Sequence, residues 1–171
     1  PANSSGERLI DWDTAKHLPW DILLLFGGGL ALSAQFSKTG LSLWIGEQVS
    51  SLSALPMVVV ILAVTALVIF LTEITSNTAT AAAFIPVIIG VAGGLGYTEH
   101  NVLLFAIPVA LAATCAFMLP VATPPNAIAY GSGYVRIKDM IKAGFWLNII
   151  SISLITATVM SIGAAVFDLK Y

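Results

Sequence analysis

Thr72-Glu73-Ile74-Thr75-Ser76-Asn77-Thr78-Ala79-Thr80 lies between two strongly apolar runs, residues 55–71 and 81–95. The stretch holds one acid, one amide and five hydroxyl side chains, and it has no Lys, Arg, Gly or Pro. A water-exposed connection would carry turn-forming residues such as Gly or Pro. A lipid-facing helix would carry fewer polar groups, and each unpaired backbone group in hydrocarbon costs several kcal/mol. A helical break that is buried in protein or lines a wet cavity satisfies both constraints. The flanking arms are short beside the roughly 17–25 residues of a full span. The expectation is a re-entrant helical hairpin over residues 55–96, its tip at 75–79 near the middle of a bilayer.

The solvent implied by this reading agrees with composition. Hydrophobic residues make up 58% of the chain and charged residues 9%, where a soluble domain carries about 25% charged. So few charges cannot cover an apolar globule in water, so lipid is the expected surrounding. The net charge of −2 says little, and the absence of a basic patch interleaved with aromatics argues against nucleic acid as a partner. Cys115, the single cysteine, excludes a disulfide within the chain and reads as a small buried hydrophobe.

Working outward, residues 1–19 are polar and mixed in charge, with no apolar core of a signal peptide. They read as a cytoplasmic connecting loop, and with Pro1 in first place the chain reads as a piece of a longer protein. Residues 20–54 read as a transmembrane helix over 22–36, containing Gly27-Gly28-Gly29, followed by an interfacial helix over 38–53. Glycines in a membrane helix allow close helix approach. Residues 102–134 read as a discontinuous transmembrane helix broken at 120–126, and residues 143–167 as a final span. Threading these segments puts Arg8, Lys16, Arg136, Lys138 and Lys142 on one side and Lys38 and Lys170 on the other. The positive-inside rule makes the first side cytoplasmic. Asn3-Ser4-Ser5 matches an N-glycosylation acceptor, and its cytoplasmic placement makes the match coincidental.

The second break is Pro120-Val121-Ala122-Thr123-Pro124-Pro125-Asn126. Tandem prolines remove backbone donors and disfavour helix before them. The carbonyls so released, with Thr123 and Asn126, suit a hard cation such as Na⁺, while helix N-termini at the break suit an anion. Two broken segments meeting near the midplane point to a secondary transporter. A channel filter uses similar parts but usually draws them from several subunits, and a proline kink in an ordinary bundle helix is the plainer alternative. Glu73 is an intramembrane carboxylate. It has three possible roles: cation ligand, proton carrier, or hydrogen-bond partner of the second break.

Ser76-Asn77-Thr78, the run Phe117-Met118-Leu119-Pro120-Val121-Ala122-Thr123-Pro124-Pro125-Asn126-Ala127 and Leu18-Pro19-Trp20-Asp21 with Phe26-Gly27-Gly28-Gly29 resemble the divalent anion/sodium symporter family of di- and tricarboxylate transporters. The likeness extends from about Trp12 to Phe167. The resemblance implies an all-α membrane protein built from two inverted repeats, in homodimers, with this chain as the C-terminal repeat and the N-terminal repeat missing. It implies a substrate site at Ser76, Asn77, Thr78, Thr123 and Pro124, and a sodium site at Thr72, Thr75, Asn77 and Ala122. Glu73, Pro125 and Asn126 would support them.

The function expected is sodium-coupled transport of succinate-, malate- or citrate-like anions across the inner membrane by alternating access, with Na⁺ as coupling ion and no other cofactor. An inorganic-anion transporter for sulfate or arsenite, and a structural membrane subunit, are the rivals. An enzyme is disfavoured, because His17, His100 and Cys115 fall in separate segments without metal-ligand spacing or triad logic.

Overall fold

The apolar runs fold as helices. The computed structural model describes residues 11–18, 20–41, 44, 55–94, 96–97 and 101–168. In chain order the helices are α1 (Trp12–Ala15), α2 (Trp20–Lys38), α3 (Met57–Thr72), α4 (Asn77–Gly94), α5 (Leu103–Ala112), α6 (Pro124–Gly131) and α7 (Ile137–Thr158). The last continues through a π turn, Val159–Gly163, to Ala164–Val166. Among the described residues there are no strands. Residues 1–10 of the connecting loop, with the Asn3-Ser4-Ser5 match, and most of the expected interfacial helix lie outside the described residues.

The core forms where α3 packs on α5 and α7, and α4 packs on α2 and α5. Buried positions repeat at helical spacing: Ile61, Thr65, Val68, Ile69 and Thr72 on α3, and Gly144, Asn148, Ile152, Ile155 and Thr156 on α7. α5 packs against both arms of the hairpin, which touch each other less than either touches α5. The outward faces stay apolar, with Leu67 on α3 and Trp146, Ile150 and Leu154 on α7 exposed. Lipid can cover such faces; water covers them poorly. Ile137–Val166, with 30 residues, is long and apolar enough to cross a membrane, whereas Met57–Thr72, Asn77–Gly93 and Leu103–Ala112 are shorter.

Three boundaries differ from the sequence expectations. The hairpin turn is residues 73–76, so Asn77, Thr78 and Ala79 are the first residues of α4 rather than part of an irregular tip. The second interruption runs over residues 113–123, earlier and longer than 120–126. Pro124 and Pro125 open α6, with Thr123 as its N-cap. At the first helical positions a proline's missing N–H costs nothing and its fixed φ suits the helix, so the pair starts a helix instead of breaking one. The final helix begins at Ile137, ahead of the expected 143, because Lys138 and Lys142 belong to its first turns. Asp139 sits in that first turn, where an acid favours the helix dipole, and accepts from Arg136 Nε at 2.7 Å.

Two glycines set close approaches. A Cβ at Gly29 of α2 would stand 2.6 Å from the Ala82 carbonyl oxygen of α4. A Cβ at Gly144 of α7 would overlap the Phe117 carbonyl and stand 2.6 Å from Met118 Cα. By contrast, nothing lies within 4 Å of a Cβ at Gly27 or Gly28. Gly29→Ala and Gly144→Ala should each destabilise by about 1–3 kcal/mol through overpacking, while Gly27→Ala should be neutral or stabilising. Thermal unfolding midpoints in detergent, measured on the full-length protein, check the contrast.

Candidate functional site

The turn after α3 and the loop between α5 and α6 form one cleft of about 560 Å³. Ser76, Asn77 and Thr78 line one wall, and Thr114, Ala116, Phe117 and the run Ala122-Thr123-Pro124-Pro125-Asn126 line the rest. All five expected substrate residues, Ser76, Asn77, Thr78, Thr123 and Pro124, therefore meet at one place, together with Asn77 and Ala122 of the expected sodium set. Thr72 and Thr75 are not on the cleft wall.

An 11-residue loop without helix needs partners for its backbone, and three side chains supply them. Glu73, 3% exposed, accepts from the amides of Phe117 at 2.8 Å, Met118 at 3.0 Å and Leu119 at 3.2 Å, and from Asn148 Nδ2 at 2.8 Å. Asn126 Nδ2 donates to the carbonyls of Ala116 at 2.9 Å and Leu119 at 3.1 Å. The Thr72 hydroxyl reaches the Ala113 carbonyl at 2.9 Å. Thr72 and Glu73 come from the end of α3 and Asn126 from the first turn of α6, so the loop is held from both of its flanks. Of the three roles open to Glu73 in the sequence, this geometry is that of a hydrogen-bond partner to the second break. Both carboxylate oxygens are filled by N–H donors.

The polar atoms of the cleft divide by what remains free. Asn77 Oδ1 accepts from Thr72 at 2.8 Å, which leaves its amide NH₂ without a partner among the described residues. The Ser76 and Thr78 hydroxyls likewise have none, and the opening N–H groups of α4 lack intrahelical acceptors. The wall at Ser76, Asn77 and Thr78 is thus rich in uncommitted donors, suited to an anion. The start of α6 differs from expectation. Pro124 and Pro125 have no N–H, the Asn126 amide donates to Thr123 Oγ1 at 3.4 Å and the Ala127 amide to the Thr123 carbonyl. That helix start offers the cleft a dipole end but no free amide from these four residues.

Behind the donor wall, the Thr72 hydroxyl lies within 2.8 Å of Asn77 Oδ1 and 2.9 Å of the Ala113 oxygen. One hydroxyl proton cannot fully serve both acceptors. Three neutral oxygens gathered this closely suit a hard cation, and among the described residues no His/Cys/Asp/Glu cluster suggests a transition metal. Thr75, expected in the sodium set, is exposed and donates to the Leu71 carbonyl at 3.0 Å, with Thr80 Oγ1 at 2.5 Å. Its own carbonyl remains the group available to a cation.

Sequence reasoning missed Thr114, Ala116 and Phe117 on the cleft wall, the Ala113 carbonyl, and Asn148. Only Asn148 carried a signal: a lone amide within the apolar run Phe145-Trp146-Leu147-Asn148-Ile149-Ile150.

Two helix breaks meeting at one cleft, one wall donating and one group of oxygens accepting, in an apolar helical bundle, suit an ion site in a membrane transporter. The chain belongs to the family described as the sodium:sulfate symporter transmembrane region, whose model matches residues 6–169. The family is one of transporters, not enzymes. The chain is similar to the sodium-dependent dicarboxylate transporter SdcS of Staphylococcus saprophyticus, 48% identical over 153 residues, and to SdcS of Staphylococcus aureus, 50% identical over 152. The matches take in 90% and 89% of this chain but 29% of each relative, so the chain spans under a third of their length. The resemblance read from Ser76-Asn77-Thr78 and the run ending Thr123-Pro124-Pro125-Asn126 is thereby borne out, and sodium dependence is a named property of those relatives.

Removing Glu73 leaves three backbone N–H groups and the Asn148 amide unpaired inside the protein. Glu73→Ala should cost about 3–5 kcal/mol of stability and Asn148→Ala about 1–3 kcal/mol. Because they share one bond network, the double variant should lose less than the sum. A double-mutant cycle on thermal unfolding of the full-length protein checks this; strict additivity contradicts it.

Proposed function

We propose that this chain supplies the C-terminal half of the site of a sodium-coupled dicarboxylate transporter. The observation that carries the proposal is the division of the cleft. Uncommitted donors at Ser76, Asn77 and Thr78 face a loop whose polar groups are mostly satisfied, and neutral oxygens of Thr72, Asn77 and Ala113 crowd directly behind. A carboxylate takes the donor wall, near Thr123 and Pro124. Na⁺ takes the oxygens of Thr72 and Asn77, with the backbone carbonyls of Thr75, Ala113 and Ala122 completing its shell. Asn77 serves both ligands, its Oδ1 to the cation and its amide NH₂ to the anion, so each binds better with the other present. No Lys or Arg lies on the cleft wall, so bound Na⁺ supplies the positive charge that offsets the dianion.

In this reading the hairpin of α3 and α4 is re-entrant, a second inverted repeat closes the other half of the site, and two such proteins pair as a homodimer in the inner membrane. Transport proceeds by alternating access. Relatives named for dicarboxylates, similar over nine-tenths of this chain, support the substrate class. The family's description by sulfate keeps a second reading in view, an inorganic dianion on the same donor wall.

Full-length protein in proteoliposomes should take up labelled succinate with Na⁺ and lose that uptake when choline replaces Na⁺. Excess unlabelled malate should compete strongly and sulfate weakly; the reverse order would favour the inorganic-anion reading. Asn77→Ala should cut uptake at least tenfold, by loss of charge-assisted bonds worth about 1.5–3 kcal/mol, and should raise the Na⁺ concentration needed for half-maximal rate.

A further inference from the structure

Four hydroxyl side chains line the cleft: Ser76, Thr78, Thr114 and Thr123. Their protons are not equivalent. Those of Ser76 and Thr78 have no partner among the described residues, and Thr123 Oγ1 accepts from the Asn126 amide, which leaves its own proton uncommitted. Thr114 alone has its proton spent, donating to the Leu111 carbonyl at 2.7 Å. The Leu111 carbonyl also accepts from the Thr114 amide at 3.1 Å, so hydroxyl and amide of one residue hold the same oxygen at the end of α5. Thr114 is exposed and lines the same cleft as Ser76, Asn77 and Thr78, and with its proton on Leu111 its oxygen keeps only acceptor capacity.

An acceptor facing the cleft repels a carboxylate and attracts a donor. Resting on the dicarboxylate reading above, we propose that Thr114 determines specificity by accepting a hydrogen bond from the hydroxyl of a 2-hydroxy dicarboxylate. One carboxylate of the substrate lies on the donor wall and its hydroxyl reaches Thr114. A dicarboxylate without the hydroxyl, such as succinate, leaves Thr114 to water. The residue thus separates malate-like from succinate-like substrates and takes no part in holding Na⁺.

The test is uptake of labelled malate and succinate by the full-length transporter in proteoliposomes, with Thr114 intact, Thr114→Val and Thr114→Ser, each across a range of Na⁺ concentrations. The expected result is a fall of about five- to tenfold in the malate-to-succinate ratio of kcat/KM for Thr114→Val, the scale of one net hydrogen bond. Succinate kinetics and Na⁺ dependence should stay as they were, and Thr114→Ser should restore the ratio. An unchanged ratio in a variant that still carries succinate overturns the proposal. So does a parallel loss of both substrates, or a shift in Na⁺ dependence, which would make Thr114 a structural or cation-binding group. Transport of succinate with no transport of malate by the unaltered protein overturns it while leaving the dicarboxylate reading intact. Failure of the unaltered protein to carry any dicarboxylate overturns both.

Discussion

The carboxylate of Glu73 is the interaction on which the rest depends. It sits at the end of α3, buried, and accepts from three successive backbone amides of a loop that has no secondary structure of its own. A buried charge is costly unless donors surround it, and a buried loop is costly unless its amides find acceptors. Here each requirement meets the other. The loop stays irregular enough to leave oxygens and a cleft exposed, and the hairpin turn is fixed against it. Asn148 and Gly144, one turn apart on α7, press on the same carboxylate and the same stretch of backbone. Two helices and a loop are therefore registered at a single point.

This arrangement explains how so polar a stretch persists inside an apolar bundle. The turn at residues 73–76 contains no glycine or proline, and among the described residues of that turn none has a positive φ. Its helices each pack more on α5 than on one another, and the polar side chains spend themselves on the loop beyond: Thr72 on Ala113, Glu73 on Phe117 to Leu119. What is not spent, at Ser76, Asn77 and Thr78, faces the cleft.

Much of this was legible in the sequence and some was not. The all-helical membrane class followed from composition, and the break between α3 and α4 from a polar run between apolar arms. Ser76, Asn77, Thr78, Thr123 and Pro124, expected together because they match a family pattern, line one cleft. The end of α5 at Ala112 was not legible. Ala113 to Leu119 contains no residue that forbids helix, and the helix stops there because Thr72, Glu73 and Asn126 take the backbone groups that would have continued it. The tandem prolines misled in the opposite direction, since a proline marks a helix start as readily as a break. Thr114 was invisible because its role depends on where one proton points, which no periodicity encodes.

α7 also gauges depth. Its 30 residues from Ile137 to Val166 extend about 45 Å, against a hydrocarbon layer of about 30 Å, so the helix leans or overhangs. Asn148 lies about 9 Å along the axis from Lys142, nearer the start of the helix than its end. Glu73 and the loop it holds share that depth. The polar network around Glu73 is therefore set off-centre along the helix that, among the described residues, is long and apolar enough to cross a membrane.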